Sequence, residues 1–186
     1  MPAMDARQLL QLLTTQVDAI ISRTKALQSI DANRLNTQPA AGKWSAAQII
    51  EHLNSYNRYY LPEMEKALQK QVPFNSVFKA GWFGNYFTNM MLPGKDGKVA
   101  NRMNSPKDHR PPQQLDAAKV IAEFIKGQEH LLSLLQKAGS TDIGKLRVPI
   151  SLSRLIKLKL GDTFRFLIAH QQRHFIQLGN VLGSVL

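Results

Sequence analysis

The chain has no cysteine among its 186 residues. That excludes disulfides and thiolate catalysis by the protein itself, and it restricts any metal site to His, Asp, Glu or water. No run approaches the roughly 18 continuous apolar residues of a membrane span. The opening "MPAMDARQLLQLL" lacks the basic n-region and cleavage site of a secretory leader. A cytoplasmic protein with no membrane partner is therefore expected. Acidic residues are scarce, 13 against 24 basic ones, for a net charge of +11. Such an excess invites a nucleic-acid reading. Its densest stretch, "KLRVPISLSRLIKLKLGDTFR", interleaves the cations with leucine and isoleucine, and no zinc-finger, RNA-recognition or P-loop signature accompanies it. A solvated basic surface is the preferred reading over a nucleic-acid partner. Low-complexity tracts and internal repeats are also missing.

What is present is a 44% hydrophobic composition, enough to bury a core, and a length that suits a single domain over residues 1–186. Four segments show helical periodicity. The first runs from about Asp5 to Ser29, with Leu9, Leu12, Leu13, Val17, Ile20, Ile21 and Leu27 at three- and four-residue steps. A turn-rich link containing Pro39 and Gly42 follows. The second opens at "KWSAAQIIEHL", where Ser45 and Gln48 form a capping-box pattern and Trp44 is placed to staple onto Ile49. Its stripe is Ile49, His52, Leu53, Tyr56, Tyr60, Met64 and Leu68, and Pro62 predicts a kink near Tyr59. From Val72 to Pro112 the pattern breaks into a long, proline- and glycine-rich loop in which "FKAGWFGNYFTNMM" suits a short helix. A connection this long is usually functional or mobile, so it reads as a crossover that covers apolar surface, a lid, or both.

The third helix is expected from near Pro112 to about Ala138, ended by Gly139. In the link after it, Val148 to Ile150 suits an extended piece and the region of Leu155 a short helix. The fourth helix follows Gly161, with Asp162 as N-cap, and runs to about Leu182. Four amphipathic helices with almost no strand predict an all-α four-helix bundle. Links of about 15, 40 and 20 residues leave room for parallel neighbours, so up-down-up-down order is not required.

His170 and His174 stand i, i+4 on the fourth helix, on a face shared with Phe166, Leu167, Leu178 and Val181. His52 lies on the inward stripe of the second helix. Three neutral imidazoles from two helices suffice to bind a borderline divalent ion and leave a position open for water or substrate. The alternative is a set of hydrogen-bonded core histidines. His109, in the proline-rich excursion, and His130, late in the third helix, have no comparable setting and read as loop or surface residues, with His109 the one that has a route to the site.

"KWSAAQIIEHLNSYNRYY" resembles the W-S…H-L entry to helix two in the DinB/YfiT-like superfamily of metalloenzymes, and "HQQRHFIQLGNVL" resembles its H-x-x-x-H-x-x-Q element on helix four. The two lie about 120 residues apart, and the joint pattern is more specific than either half. The resemblance implies an up-down-down-up four-helix bundle. It implies a divalent metal, nickel or zinc, on His52, His170 and His174. It also implies chemistry related to bacillithiol- or mycothiol-dependent transferases, and a homodimer. An acid often stands in that family where Gln48 and Gln171 lie here; Glu51 or a backbone carbonyl would then have to orient the imidazoles.

The expected function is a metal-dependent transferase or hydrolase of a small molecule. A metal there would activate water or hold a thiol supplied by a small molecule such as bacillithiol. Tyr56, one turn past His52, is the nearest hydroxyl for proton transfer or substrate positioning, or else a core tyrosine. Gln177, one turn past His174, reads as a hydrogen-bonding residue. The competing reading is a non-catalytic binding or dimerisation module with "GWFGNYF" as its contact surface.

Overall fold

Leu9, Leu13, Val17 and Ile20 fall on one face of a helix, and all four are buried. The segment they organise, α1, spans Ala6–Ala26 and is capped by Asp5, whose carboxylate accepts the Gln8 amide at 2.8 Å. The structure is a computed structural model and describes residues 3–70, 72–93 and 104–183. Three further long helices follow the same logic: α3 (Ala46–Leu68), α5 (Ala117–Ala138) and α6 (Leu160–Leu182). Between them lie the short helices α2 (Ala32–Asn36) and α4 (Trp82–Met91). The capping box at the start of α3 forms as expected, and α3 runs unbroken through Pro62.

Inter-helix contacts set the directions. Asn54 of α3 donates to the carbonyl of Val120, and Glu65 lies 3.7 Å from both His130 and Lys137, so α3 and α5 run parallel. His52 meets His174 while Tyr60 meets Phe166, so α3 and α6 are antiparallel. At the other edge the Arg23 guanidinium donates to the Phe175 carbonyl, and the Ala6 amide donates to Ser76 close to where Phe78 packs on Gly161, so α1 runs with α6. The result is an up-down-down-up four-helix bundle, with the long connection between α3 and α5 supplying the parallel pair.

That connection carries more structure than a loop. Strand β2 (Val77–Lys79) pairs antiparallel with β1 (Ala3–Asp5), which ties it to the N-terminus. Phe78 of β2 is fully buried. Helix α4 then packs along the first half of α6, so closely that a Cβ on Gly84 would lie 2.3 Å from the Asp162 side chain. Residues 94–103 of the proline- and glycine-rich stretch, Gly94 and Gly97 among them, lie outside the described residues.

Three local expectations give way to stronger terms. Leu155 sits in a strand, not a short helix: β4 (Ser153–Lys159) pairs with β3 (Arg147–Ile150). Val148 and Leu158 are directly opposite and both buried, and residues opposite one another share a face, so burying that pair decides for a hairpin. Asp162 is not the N-cap of α6. The helix starts earlier because the Leu160 and Gly161 amides donate to the carbonyls of Leu146 and Ile143. Asp162 is fully buried instead and accepts the Gly81 amide at 2.7 Å, locking α4 onto α6. Helix α5 starts at Ala117 rather than near Pro112, with Asp116 capping the Lys119 amide at 3.2 Å. The Pro111–Pro112 pair favours extended backbone before it, and the Pro112 carbonyl is held by Gln48.

Among the described residues, no helix is long and apolar enough to cross a membrane.

Candidate metal centre

His52 comes from the second turn of α3, and His170 and His174 come from the middle of α6. Antiparallel packing of the two helices brings all three rings together. His170 Nε2 lies 3.3 Å from His52 Nε2 and 3.1 Å from His174 Nε2. One ring nitrogen from each of the three histidines lies within 4.8 Å of the other two. His52 and His170 are buried, and the partly exposed His174 forms the edge toward solvent.

The other ring nitrogens decide the tautomers. His52 Nδ1 is 2.7 Å from the carbonyl of His109, so it carries the proton and donates it. His174 Nδ1 is 2.9 Å from Gln177 Oε1 and donates likewise. Both therefore present an Nε2 lone pair to the cluster. His170 Nε2 faces both lone pairs, and one N–H there can satisfy only one of them. Its own Nδ1 is buried without a hydrogen-bond partner.

Converging lone pairs with at most one proton among them are what a cation resolves. Two nitrogens at the roughly 2.0–2.1 Å bond length of zinc lie about 2.9 Å apart at a right angle and about 3.4 Å apart in tetrahedral geometry. The observed 3.1 and 3.3 Å fall inside that window. The residues present fit a divalent metal with three protein ligands.

Burial and mutual repulsion keep these imidazoles neutral, the form a metal requires. Burial first pushes His52 down to about 4, helped by the charge of His109 and opposed by its bond to the His109 carbonyl. His174 is held at about 3 by burial and then by His52. His170 lies well below the ordinary range for the same reasons, with Arg173 adding to the effect. The sign of the linkage follows. In the unfolded chain these histidines titrate near about 6.5, so below that pH the unfolded state binds more protons than the folded one. Metal-free protein should keep its full stability above about pH 6.5, and lose it as pH falls through about 4 for His52 and about 3 for His174. Thermal melts at stepped pH check this; a flat Tm between pH 7 and pH 4.5 would contradict it.

Aromatic rings wall the site. The indole of Trp44 sits 4.9 Å from the His52 ring and 6.5 Å from that of His174. Tyr56 lies 4.3 Å from His170, and burial raises its hydroxyl to about 12, so it stays protonated at neutral pH.

Sequence reasoning missed His109. Its ring is buried, stacks on Tyr56 at 3.9 Å and bonds Ser55, while its carbonyl orients His52. It is neither a surface nor a free loop residue, and no periodicity in the proline-rich segment marks it. His130 is a surface residue as expected, 3.7 Å from Glu65.

The two glutamines standing where an acid was expected do other work. Gln48 closes the capping box and donates to the Pro112 carbonyl at 3.1 Å. Gln171 is fully buried and donates to Asn57 Oδ1 at 3.2 Å, in the seam between α6 and α3. Glu51 is paired with Arg58 at 2.8 Å. Imidazole orientation here comes from the His109 carbonyl and Gln177.

Residues 4–178 match a family model described as the DinB superfamily. Among solved structures, YfiT from Bacillus subtilis aligns over 96% of this chain and 87% of its own, with 14% sequence identity and a TM-score of 0.51. YfiT is described as a probable metal-dependent hydrolase with an unusual four-helix bundle topology. At that identity the likeness speaks to the fold. No curated protein matches the chain.

Proposed function

The chain belongs to the DinB superfamily, and from that premise we propose that it is a metal-dependent enzyme acting on a small molecule, with His52, His170 and His174 as its metal ligands. The observation that carries the reading is the convergence of three Nε2 atoms, two with their tautomers set so that lone pairs face one another.

A divalent metal, zinc or nickel, would supply Lewis acidity and a coordination position for water or substrate. The chain supplies the rest. The His109 carbonyl and Gln177 hold two of the imidazoles in register. Trp44 and Tyr56 exclude water from the buried side and leave the His174 edge as the approach. Tyr56, protonated at neutral pH, would supply a hydrogen-bond donor for a substrate oxygen. Hydrolysis is the first assignment, in keeping with what is said of YfiT. Transfer of a small-molecule thiol such as bacillithiol is the second, and with no cysteine in the chain the thiol must come from outside. The exposed rings of Trp82, Phe83 and Tyr86 on α4 are the surface on which a homodimer would form.

Cobalt-substituted protein separates the two chemistries. If thiol transfer is the activity, a low-molecular-weight thiol shifts the visible spectrum by placing sulfur on the metal. If hydrolysis is, the spectrum ignores thiol, and small ester or amide substrates are cleaved only by metal-loaded protein. Wild-type protein that takes up no divalent metal overturns the proposal.

A further inference from the structure

The segment from Ser105 to Pro112 lies along the first turns of α3 and is attached to it at successive points. Gln48 Nε2 donates to the Pro112 carbonyl at 3.1 Å, and His52 Nδ1 donates to the His109 carbonyl at 2.7 Å. The third point is Ser55, one helical turn beyond His52. Its hydroxyl donates to the His52 carbonyl at 2.6 Å, and its oxygen stands 2.9 Å from His109 Nδ1. A serine hydroxyl has one proton. With that proton committed to the His52 carbonyl, the oxygen accepts from His109, and Nδ1 of His109 is the donor. Tyr56 stacks on the face of the same ring at 3.9 Å. Residues 107–109 form a single 3-10 turn, closed by the His109 amide donating to Pro106 at 3.1 Å.

Ring and carbonyl of His109 thus belong to one short, closed circuit: Ser55 holds the ring, the turn holds the backbone, and the backbone carbonyl holds His52. We propose that Ser55 and His109 are positioning residues for the metal, acting together to aim the His52 lone pair, and that the 105–112 segment is coupled to metal binding through them. This rests on the three-histidine metal site proposed above. The reason is general: an acceptor on the far nitrogen of a metal-binding imidazole fixes its tautomer and raises its basicity, and loss of such a partner typically costs about 10–100-fold in affinity. The acceptor here is a backbone carbonyl, which no side-chain substitution at position 109 removes. What a substitution can remove is the grip on it. By linkage, whatever the carbonyl contributes to metal affinity, metal returns to the stability of the segment.

The test is cobalt affinity of the full chain by chelator competition, in wild type, Ser55→Ala, Ser55→Thr and His109→Leu. The leucine variant keeps the carbonyl and most of the bulk but loses the donor to Ser55. Ser55→Ala and His109→Leu should each bind cobalt about 10-fold more weakly, with an altered visible spectrum, and Ser55→Thr should restore both. Hydrogen exchange on the wild type supplies a readout that needs no variant: the amides of His109 and Arg110 should exchange more slowly with metal than without. Wild-type affinity and spectrum in Ser55→Ala, or exchange at those amides that ignores metal, overturns the inference while leaving the three-histidine site intact. A wild type that binds no cobalt overturns both, and is told apart by failing before any variant is compared.

Discussion

His170→Ala should lose metal binding more completely than any change outside the cluster. His170 is the central member: its Nε2 is within 3.3 Å of His52 and 3.1 Å of His174. Without it the remaining pair are single ligands from opposite helices, with no nitrogen between them. A structural zinc site with its full set of ligands is worth roughly 10–16 kcal/mol of apparent binding energy. Shared among its ligands, that predicts a loss of about 100–1,000-fold in affinity for this variant. The fold should survive, because the removed ring also carries a buried nitrogen that has no partner. Chelator competition gives the affinity and circular dichroism the fold. Retained wild-type affinity in folded His170→Ala would remove His170 from the ligand set.

Phe78→Ala should give the largest loss of stability outside the long helices. Phe78 is fully buried although it belongs to a three-residue strand in the long connection. A Cβ on Gly161 would lie 2.6 Å from its ring, so the ring occupies the space left by that glycine at the start of α6. Truncating a buried phenylalanine costs about 3–5 kcal/mol. For a chain of this size each kcal/mol lowers Tm by about 2–4 °C, which predicts a fall of roughly 6–20 °C. Leu155, 94% exposed on the hairpin, is the matched control; Leu155→Ala should change stability by no more than about 0.5 kcal/mol. Equal melting shifts in the two variants would mean that the connection is not anchored through Phe78.

The contrast between these positions also shows what could be read in advance. His52, His170 and His174 were legible as a converging set because helical spacing alone puts them on the inward faces of two helices. The Ser45–Gln48 capping box was legible because its chemistry is local. His109 was not, because its contribution to His52 is a backbone carbonyl, which every residue type carries. Its burial depends on docking the proline-rich segment onto α3. Asp162 looked like a helix cap because Asp after Gly is a good local signal. The Ile143 and Leu146 carbonyls, brought from the preceding turn, supplied the acceptors first. Leu155 fell in a strand because Val148 and Leu158 are buried as a cross-strand pair, a gain no single-segment pattern contains. The glutamines at positions 48 and 171 differ from the expected acids without bearing on the imidazoles, since neither points its hydrogen bonds there.

X-ray absorption at the metal edge of zinc-loaded wild-type protein tests the central claim most directly. The account predicts one zinc per chain, with three imidazole nitrogens at about 2.0–2.1 Å and one or more lighter oxygen neighbours. Fewer than three imidazoles in the first shell, or a substoichiometric ion lost on desalting, would contradict it.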